Sequence, residues 1–292
     1  MQLQIENLSK RYPNGTQALQ DVSLSIPQGM FGLLGPNGAG KSTLMRTLAT
    51  LQEADNGSAR LDGIDVLRQK DEVRKLLGYL PQEFGLYPKV TAEKLLTHFA
   101  ELKGIENSAE RRDVVHALLR QTNLWDHRNK PLGSYSGGMK QRFGIAQALL
   151  GNPRLIIVDE PTAGLDPEER VRFHNLLSAI GENVVVILST HIVSDVSDLC
   201  RNMAIIHQGR VHAAGDPTTL VGELNGRVWK KAIARSDVPD YQQRFRVISM
   251  RLFAGRTLLH VLGDELPEPG FEPVVPDLED LYFATIRGFS AT

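Results

Sequence analysis

The chain has 292 residues, enough for one large domain or two smaller ones with a substantial core. Its 33 basic residues against 34 acidic ones leave no overall field to draw it to nucleic acid or an anionic membrane. A single cysteine, Cys200, excludes an intrachain disulfide framework and fits a reducing compartment. Within "SDVSDLC" it reads as a half-buried helix position rather than a reactive thiol. The opening "MQLQIENLSK" lacks the charged-then-apolar order of a signal peptide, and no stretch approaches the ~18 apolar residues needed to span a bilayer. The expectation is a soluble, cytoplasmic chain that reaches a membrane only through another polypeptide.

In chain order, "LQIENLSKRY" and "ALQDVSLSIP" alternate apolar and polar residues around the turn "PNGT", which predicts an antiparallel pair with one solvated face. "MFGLLG", "LIIVDE" (155–160) and "VVVILST" (184–190) are short and continuously apolar, as strands buried on both faces are. From about Phe84 to Leu150 the pattern turns helical: Leu95, Leu96, Phe99 and Leu102 share one face, and Val115, Leu118 and Leu119 another. Asp166 reads as an N-cap with Pro167 at the first helical position, and Gly181 as the end of that helix. Beyond Leu220, "FRVISMRLFAGRTLLHVLG" predicts two strands around a glycine turn, "LPEPGFEPVVP" a stiff connection and "DLEDLYFATIRG" a short capped helix. There are no internal repeats.

Two stretches carry chemistry. "GPNGAGKS" fits the spacing G-x-x-x-x-G-K-[ST] between an apolar strand and a helix-forming "TLMRTLATL", so its backbone N–H groups can cradle a nucleoside triphosphate. Lys41 reaches the outer phosphates there, and Ser42 can ligate Mg²⁺. "LIIVDEP" delivers Asp159 and Glu160 to the edge of a buried sheet: Asp159 suits the metal shell, and Glu160 can polarise water for attack on the γ-phosphate. "YSGG" (135–138) is a second serine-and-glycine helix start, apt for another phosphate. Two such starts in one chain suggest that one serves a neighbour's nucleotide. His191 follows a central strand at the same edge as Glu160, and Gln82 joins the core to the helical stretch.

Together these residues resemble the nucleotide-binding domain of an ATP-binding cassette (ABC) transporter, over residues 1 to about 220. "GPNGAGKST" is similar to the Walker A loop, "LIIVDEP" to Walker B and "YSGGM" to the signature motif. Gln82 stands at the Q-loop, "AGLD" (163–166) at the D-loop and His191 at the switch. The resemblance implies an α/β fold: a P-loop NTPase core with an antiparallel β subdomain and a helical insertion (about 84–150); the strands and helix read beyond Leu220 add a small C-terminal α+β domain (221–292), expected to serve dimer support or regulation. It implies ATP bound by Tyr12, stacked on adenine, and by Gly35, Pro36, Asn37, Gly38, Ala39, Gly40, Lys41, Ser42 and Thr43. Mg²⁺ would be held by Ser42, Gln82 and Asp159, with Glu160, His191 and Gln82 catalytic. Ser136, Gly137 and Gly138 would act in trans, with Asp166 in the D-loop.

The implied partners are a second copy or another nucleotide-binding domain, and separately encoded polytopic permease subunits, which would hold this chain peripherally on the cytoplasmic face of the inner (plasma) membrane, with no nucleic acid. Residues 83–90, with apolar Phe84, Leu86 and Tyr87, are expected to face the permease. The "SGGMKQR" form, the "FGLLGPNGAGKSTLM" opening and the "LEDLYFATIRG" ending resemble ATPase subunits of bacterial export systems. Tyr135 and Met139 depart from the commonest signature, which has leucine and glutamine there. A soluble cassette ATPase acting on ribosomes or DNA is the alternative, disfavoured by one phosphate loop and no long heptad run. A non-hydrolysing nucleotide-gated module would not need Glu160 and His191, and a small-molecule kinase has no use for "SGG".

Overall fold

In the computed structural model, which describes residues 1–82, 84–253 and 255–289, the alternating N-terminal segments form β1 (Gln2–Arg11) and β2 (Gln17–Pro27). Their antiparallel register sets Leu3 opposite Ile26 and Ile5 opposite Leu24, so one face is apolar throughout. The first central strand, β3 (Gly29–Leu34), leads into α1 (Lys41–Leu48). Next come β4 (Asn56–Leu61) and β5 (Ile64–Asp65), which extend the first sheet in the order β2-β1-β4-β5. Its inner face packs with Leu44, Met45 and Leu48 of α1 and with Phe31, Ile157 and Ile187 of the central sheet.

The chain continues through α2 (Lys70–Leu76) into β6 (Leu77–Leu80), then α3 (Ala92–Leu102), α4 (Ser108–Gln121) and α5 (Gly137–Ala148). Thr91 and Asn107 cap α3 and α4 by accepting from backbone N–H groups. The apolar faces of the three helices close a separate cluster around Leu96, Leu119, Phe143 and Tyr135. There follow β7 (Leu155–Asp159), α6 (Pro167–Gly181), β8 (Val185–Thr190), α7 (Val193–Leu199), β9 (Asn202–His207) and β10 (Arg210–Gly215). The central sheet has the order β10-β9-β3-β8-β7-β6, parallel except for β10. Asp166 caps α6 and Gly181 is its last residue, as the sequence predicts, and Gly181 also serves packing: a Cβ there would lie 2.8 Å from Met30 Cγ. Cys200 is buried rather than half-buried, and burial pushes its thiol up to about 12.

The last segment holds α8 (Pro217–Gly222), which crosses position 220, then β11 (Val228–Ile233), α9 (Val238–Arg244), β12 (Arg246–Phe253) and β13 (Arg256–Leu262). The proline-rich connection contributes a short strand, β14 (Glu272–Pro273), to an antiparallel sheet of order β12-β13-β11-β14, and α10 (Leu278–Ile286) follows. Asp277 and Asp280 form a reciprocal capping box on α10. One face of this sheet has its own cluster, with Ile233, Leu259, Val261 and Phe271. Val228, Ile248, Leu262, Leu281 and Tyr282 instead join the cluster that contains Leu34, Val158, Leu188 and Ile205 of the central sheet.

Removal of residues 225–292 strips those five side chains from the central cluster, and each contributes about 1.5–3 kcal/mol when fully buried. The truncated chain is expected to melt well below the full chain or to be recovered aggregated, by differential scanning fluorimetry and size exclusion. A monodisperse truncated chain with the parent's Tm would show that the segment stands apart energetically.

Candidate functional site

Parallel register sets the site. Leu34 pairs with Thr190 and Asp159 with Ser189, so the loop after β3, Glu160 after β7 and His191 after β8 leave the sheet at one edge. The loop turns sharply through Gly38 and Gly40, whose φ values are 79° and 107°. Gly40 also lies close to the β2 backbone: a Cβ would stand 2.5 Å from the Ala18 carbonyl oxygen. Lys41 then begins α1, whose first N–H groups are free for an anion. Its ammonium is buried, donating to the carbonyls of Gly35 at 2.6 Å and Pro36 at 3.3 Å. It also lies 3.3 Å from Glu160 Oε1.

Glu160 is buried and bends the chain out of β7 with φ 49°, a conformation uncommon for a non-glycine residue. Its backbone N–H donates to the Ser189 carbonyl at 2.8 Å, and His191 Nδ1 lies 2.7 Å from its Oε2. The carboxylate is therefore held between a lysine and a half-exposed imidazole. Asp159, 4 % exposed, keeps Oδ1 without a hydrogen-bond partner. Burial raises its pKa, and the Glu160 charge adds to that; the Ser189 and Ser42 hydroxyls and the Lys41 charge oppose it.

A cavity of about 470 Å³ gathers Tyr12, Pro36 to Thr43, Gln82 and Glu160, a volume ordinary for a cofactor site. Sequence reasoning missed the rest of its wall, Thr16, Gln17, Ala18, Gln20 and Gln208, which carry no motif and arrive through the β1–β2 hairpin and the turn after β9. The Tyr12 hydroxyl lies 3.2 Å from both Thr43 Oγ1 and Gln52 Oε1, which tethers the ring beside the loop. A larger cleft of about 610 Å³ near Leu51, Phe99 and Leu102 contains none of the predicted site residues.

Ser136, Gly137, Gly138 and Asp166 do not line the 470 Å³ cavity. Ser136 caps α5, accepting from Met139 N at 3.2 Å, and Asp166 caps α6, accepting from Glu169 N at 2.9 Å. Gly137 is exposed with open space where a Cβ would be, whereas a Cβ on Gly138 would meet Glu169 Oε2 at 2.3 Å. The departures from the commonest signature have a local cause. Tyr135 and Met139 pack into the helical cluster, and the Tyr135 hydroxyl donates to the His127 carbonyl at 2.9 Å. Of the segment expected to face a permease, Glu83 lies outside the described residues. Phe84 and Leu86 pack onto internal clusters, and Tyr87 is 64 % exposed.

Residues 19–163 match the family model described as ABC transporter. The chain is 34 % identical over 226 residues to the linearmycin resistance ATP-binding protein LnrL of Bacillus subtilis (strain 168), covering 77 % of this chain and 72 % of that protein. The chain belongs to the ABC transporter ATP-binding proteins. It is also 30 % identical over 301 residues to the protein named "Probable multidrug ABC transporter ATP-binding protein YbhF" of Escherichia coli (strain K12), covering 97 % of this chain. The chain spans about half the length of that relative, 52 %. Among solved structures, the dimeric post-hydrolysis ATP-binding cassette MJ0796 bound to ADP and Pi matches with TM-score 0.66 and 28 % identity, over 73 % of this chain and 98 % of that one. An ATP-binding subunit of an ABC transporter matches with TM-score 0.68 and 29 % identity, over 76 % and 93 %. The ABC cassette fold therefore accounts for the two sheets that meet at the cavity and for the helical unit beside them.

Asp159 gives a stability test. Its carboxyl is raised in the fold, so above the folded pKa the buried charge destabilises the chain, and the penalty fades as pH falls toward the ordinary 3.8. Asp159→Asn is expected to raise the Tm of the nucleotide-free protein at pH 7, with the gain shrinking as pH is lowered toward 4. A lower Tm for the variant at pH 7 would show that the carboxylate is stabilised where it stands.

Proposed function

We propose that this chain is the ATP-hydrolysing subunit of an ABC exporter, and that two copies close head to tail over two ATP molecules to drive separately encoded membrane subunits. The observation that carries the reading is Glu160, held between Lys41 and His191 on the wall of the phosphate-loop cavity. No helix among the described residues is long and apolar enough to cross a membrane, which agrees with transport subunits encoded elsewhere. The names of LnrL and YbhF, a resistance protein and a probable multidrug transporter protein, support export.

In this reading the loop N–H groups and the α1 terminus bind the β- and γ-phosphates, and Lys41 leaves its carbonyl partners to neutralise them. Tyr12, tethered beside Thr43, offers its ring to adenine, worth about 0.5–1.5 kcal/mol beyond burial. Mg²⁺ fits the residues present: the Asp159 Oδ1 lacks a partner, and the Ser42 hydroxyl is among the groups that favour the ionised Asp159 carboxylate. Among the described residues no three His, Cys, Asp or Glu side chains could cage a metal, as suits an ion completed by phosphate oxygens and water. Bound there, Mg²⁺ would neutralise charge on the transferring phosphoryl group. Glu160 orients and polarises the attacking water, His191 fixes the Glu160 carboxylate from outside, and Gln82 lines the γ-phosphate end of the cavity.

Ser136 and Gly137 are exposed and do not line their own chain's cavity, and this supports a second nucleotide as their target. A symmetric pair gives each chain what the other holds out of its own reach. ATP then joins the two copies, and hydrolysis removes the shared contacts. The dimeric MJ0796 cassette is consistent with this arrangement. Tyr87 and its neighbours are the surface proposed for the membrane partner, since Gln82 links them to the cavity.

Lys41→Ala is expected to lose ATP binding. Glu160→Gln should bind ATP, hydrolyse it about 10²–10⁴-fold more slowly and accumulate as a dimer by light scattering. Ser136→Arg should block dimerisation and hydrolysis while sparing ATP binding, although it also loses a helix cap worth about 1 kcal/mol. Gly137→Arg meets open space in the single chain and is the cleaner variant. Parental ATPase activity in Gly137→Arg would end the head-to-tail reading, and parental activity in Glu160→Gln would end the catalytic assignment.

A further inference from the structure

Asp195 has no solvent exposure, and both of its carboxylate oxygens are surrounded by donors. The Thr162 hydroxyl donates to Oδ2 at 2.5 Å, and the Thr190 hydroxyl approaches it at 3.4 Å. On Oδ1, Arg170 donates through Nε at 2.8 Å and Nη2 at 2.6 Å, and His174 Nε2 lies at 2.8 Å. Thr162 stands two residues after Glu160, with the rigid Pro161 between them, and Thr190 immediately precedes His191. Arg170 and His174 lie on α6, the helix that Asp166 caps. One buried carboxylate thus fastens the segment leaving β7, the segment leaving β8 and the first turns of α6.

We infer that Asp195 is a positioning residue for hydrolysis: through Thr162 and Thr190 it fixes the approach of Glu160 to His191, and through Arg170 and His174 it ties that pair to α6. The inference rests on the proposed roles of Glu160 and His191. The Glu160 backbone lies in the left-handed region, where a free chain would not hold a glutamate, so the neighbouring segment must impose it. Thr162 and Asp195 lie on opposite sides of that requirement, with Thr162 itself 3 % exposed and Thr190 fully buried. No oxygen of Asp195 is left to accept from a nucleotide, so the residue acts only through others.

The test uses Thr162 because removal of Asp195 would strand Arg170 and His174 and risk the fold. Thr162→Val keeps the side-chain shape and deletes only the hydroxyl that links the Glu160 segment to Asp195. It is expected to lower kcat about 10- to 100-fold, as displacement of a supported catalytic group does, with the ATP dissociation constant essentially unchanged. Thr162→Ser restores the donor and should recover most of the rate. In a Glu160→Gln background Thr162→Val should add no further loss in single-turnover hydrolysis, because the two changes act on one unit. Parental kcat in Thr162→Val, a fall in ATP binding that tracks a fall in Tm, or full additivity with Glu160→Gln would each overturn the inference. A slow Glu160→Gln beside an unimpaired Thr162→Val would overturn it alone, whereas a fast Glu160→Gln would overturn the functional reading beneath it.

Discussion

The whole arrangement depends on one constraint, the shared parallel register of β3, β8 and β7. With Leu34 opposite Thr190 and Asp159 opposite Ser189, three chain exits lie level at one edge of the sheet. A slip of one residue would turn the buried side chains of β8 toward the wrong layer, because both of its faces are covered. The register is therefore held by core packing on both sides, and the site inherits its alignment from that packing. Val185, Ile187 and Leu188 are each fully buried, and the cores on the two faces meet through them.

At that edge the fold tolerates electrostatics that it would avoid elsewhere. Two adjacent carboxylates, Asp159 and Glu160, are both almost wholly buried, and each keeps one oxygen without a hydrogen-bond partner. A buried polar atom left without a partner costs about 1–3 kcal/mol, and the left-handed backbone at Glu160 adds to this. Lys41 offsets part of the charge, and the imidazole of His191 offers a partner for the other oxygen of Glu160. The remaining deficit makes physical sense when cationic and phosphate ligands complete the site. Strain and unpaired polarity at a sheet edge are how such a site is prepared in advance of its ligand.

Much of this was legible in the sequence because each signal is local. The phosphate loop needs its glycines at fixed spacing, the buried strands show as unbroken apolar runs, and Asp166 with Pro167 is a helix start that no tertiary contact has to supply. Non-local features were not legible. The cavity wall from Thr16 to Gln20 is built by a hairpin laid over the loop, and Gln208 reaches it across more than a hundred and fifty residues. The Asp195 cluster draws on Thr162, Arg170, His174 and Thr190, whose spacing follows no period because three separate elements meet there. The continuity of α10 with the central core was hidden for the same reason: an apolar helix face in "LEDLYFATI" does not say which cluster it joins.

α6 shows how the separate parts of the site can act as one mechanical unit. Its first turn is capped by Asp166, and Glu169 in that turn lies against Gly138 while pairing with Arg142 of α5 at 3.3 Å. One residue on, Arg170 and then His174 hold Asp195, which in turn holds the segments of Glu160 and His191. The helix therefore touches the signature serine-glycine start on one side and the support of Glu160 on the other. Both contacts are buried or half-buried ion pairs, 3.3 Å long for Arg142 with Glu169 and 2.6 Å for Arg170 with Asp195, so each couples the helix to its neighbour. If a second copy presses its nucleotide onto Ser136 and Gly137, the displacement reaches Glu160 through one rigid element rather than through a flexible loop. Such coupling requires no long pathway, only a helix whose two packed faces serve two different nucleotides.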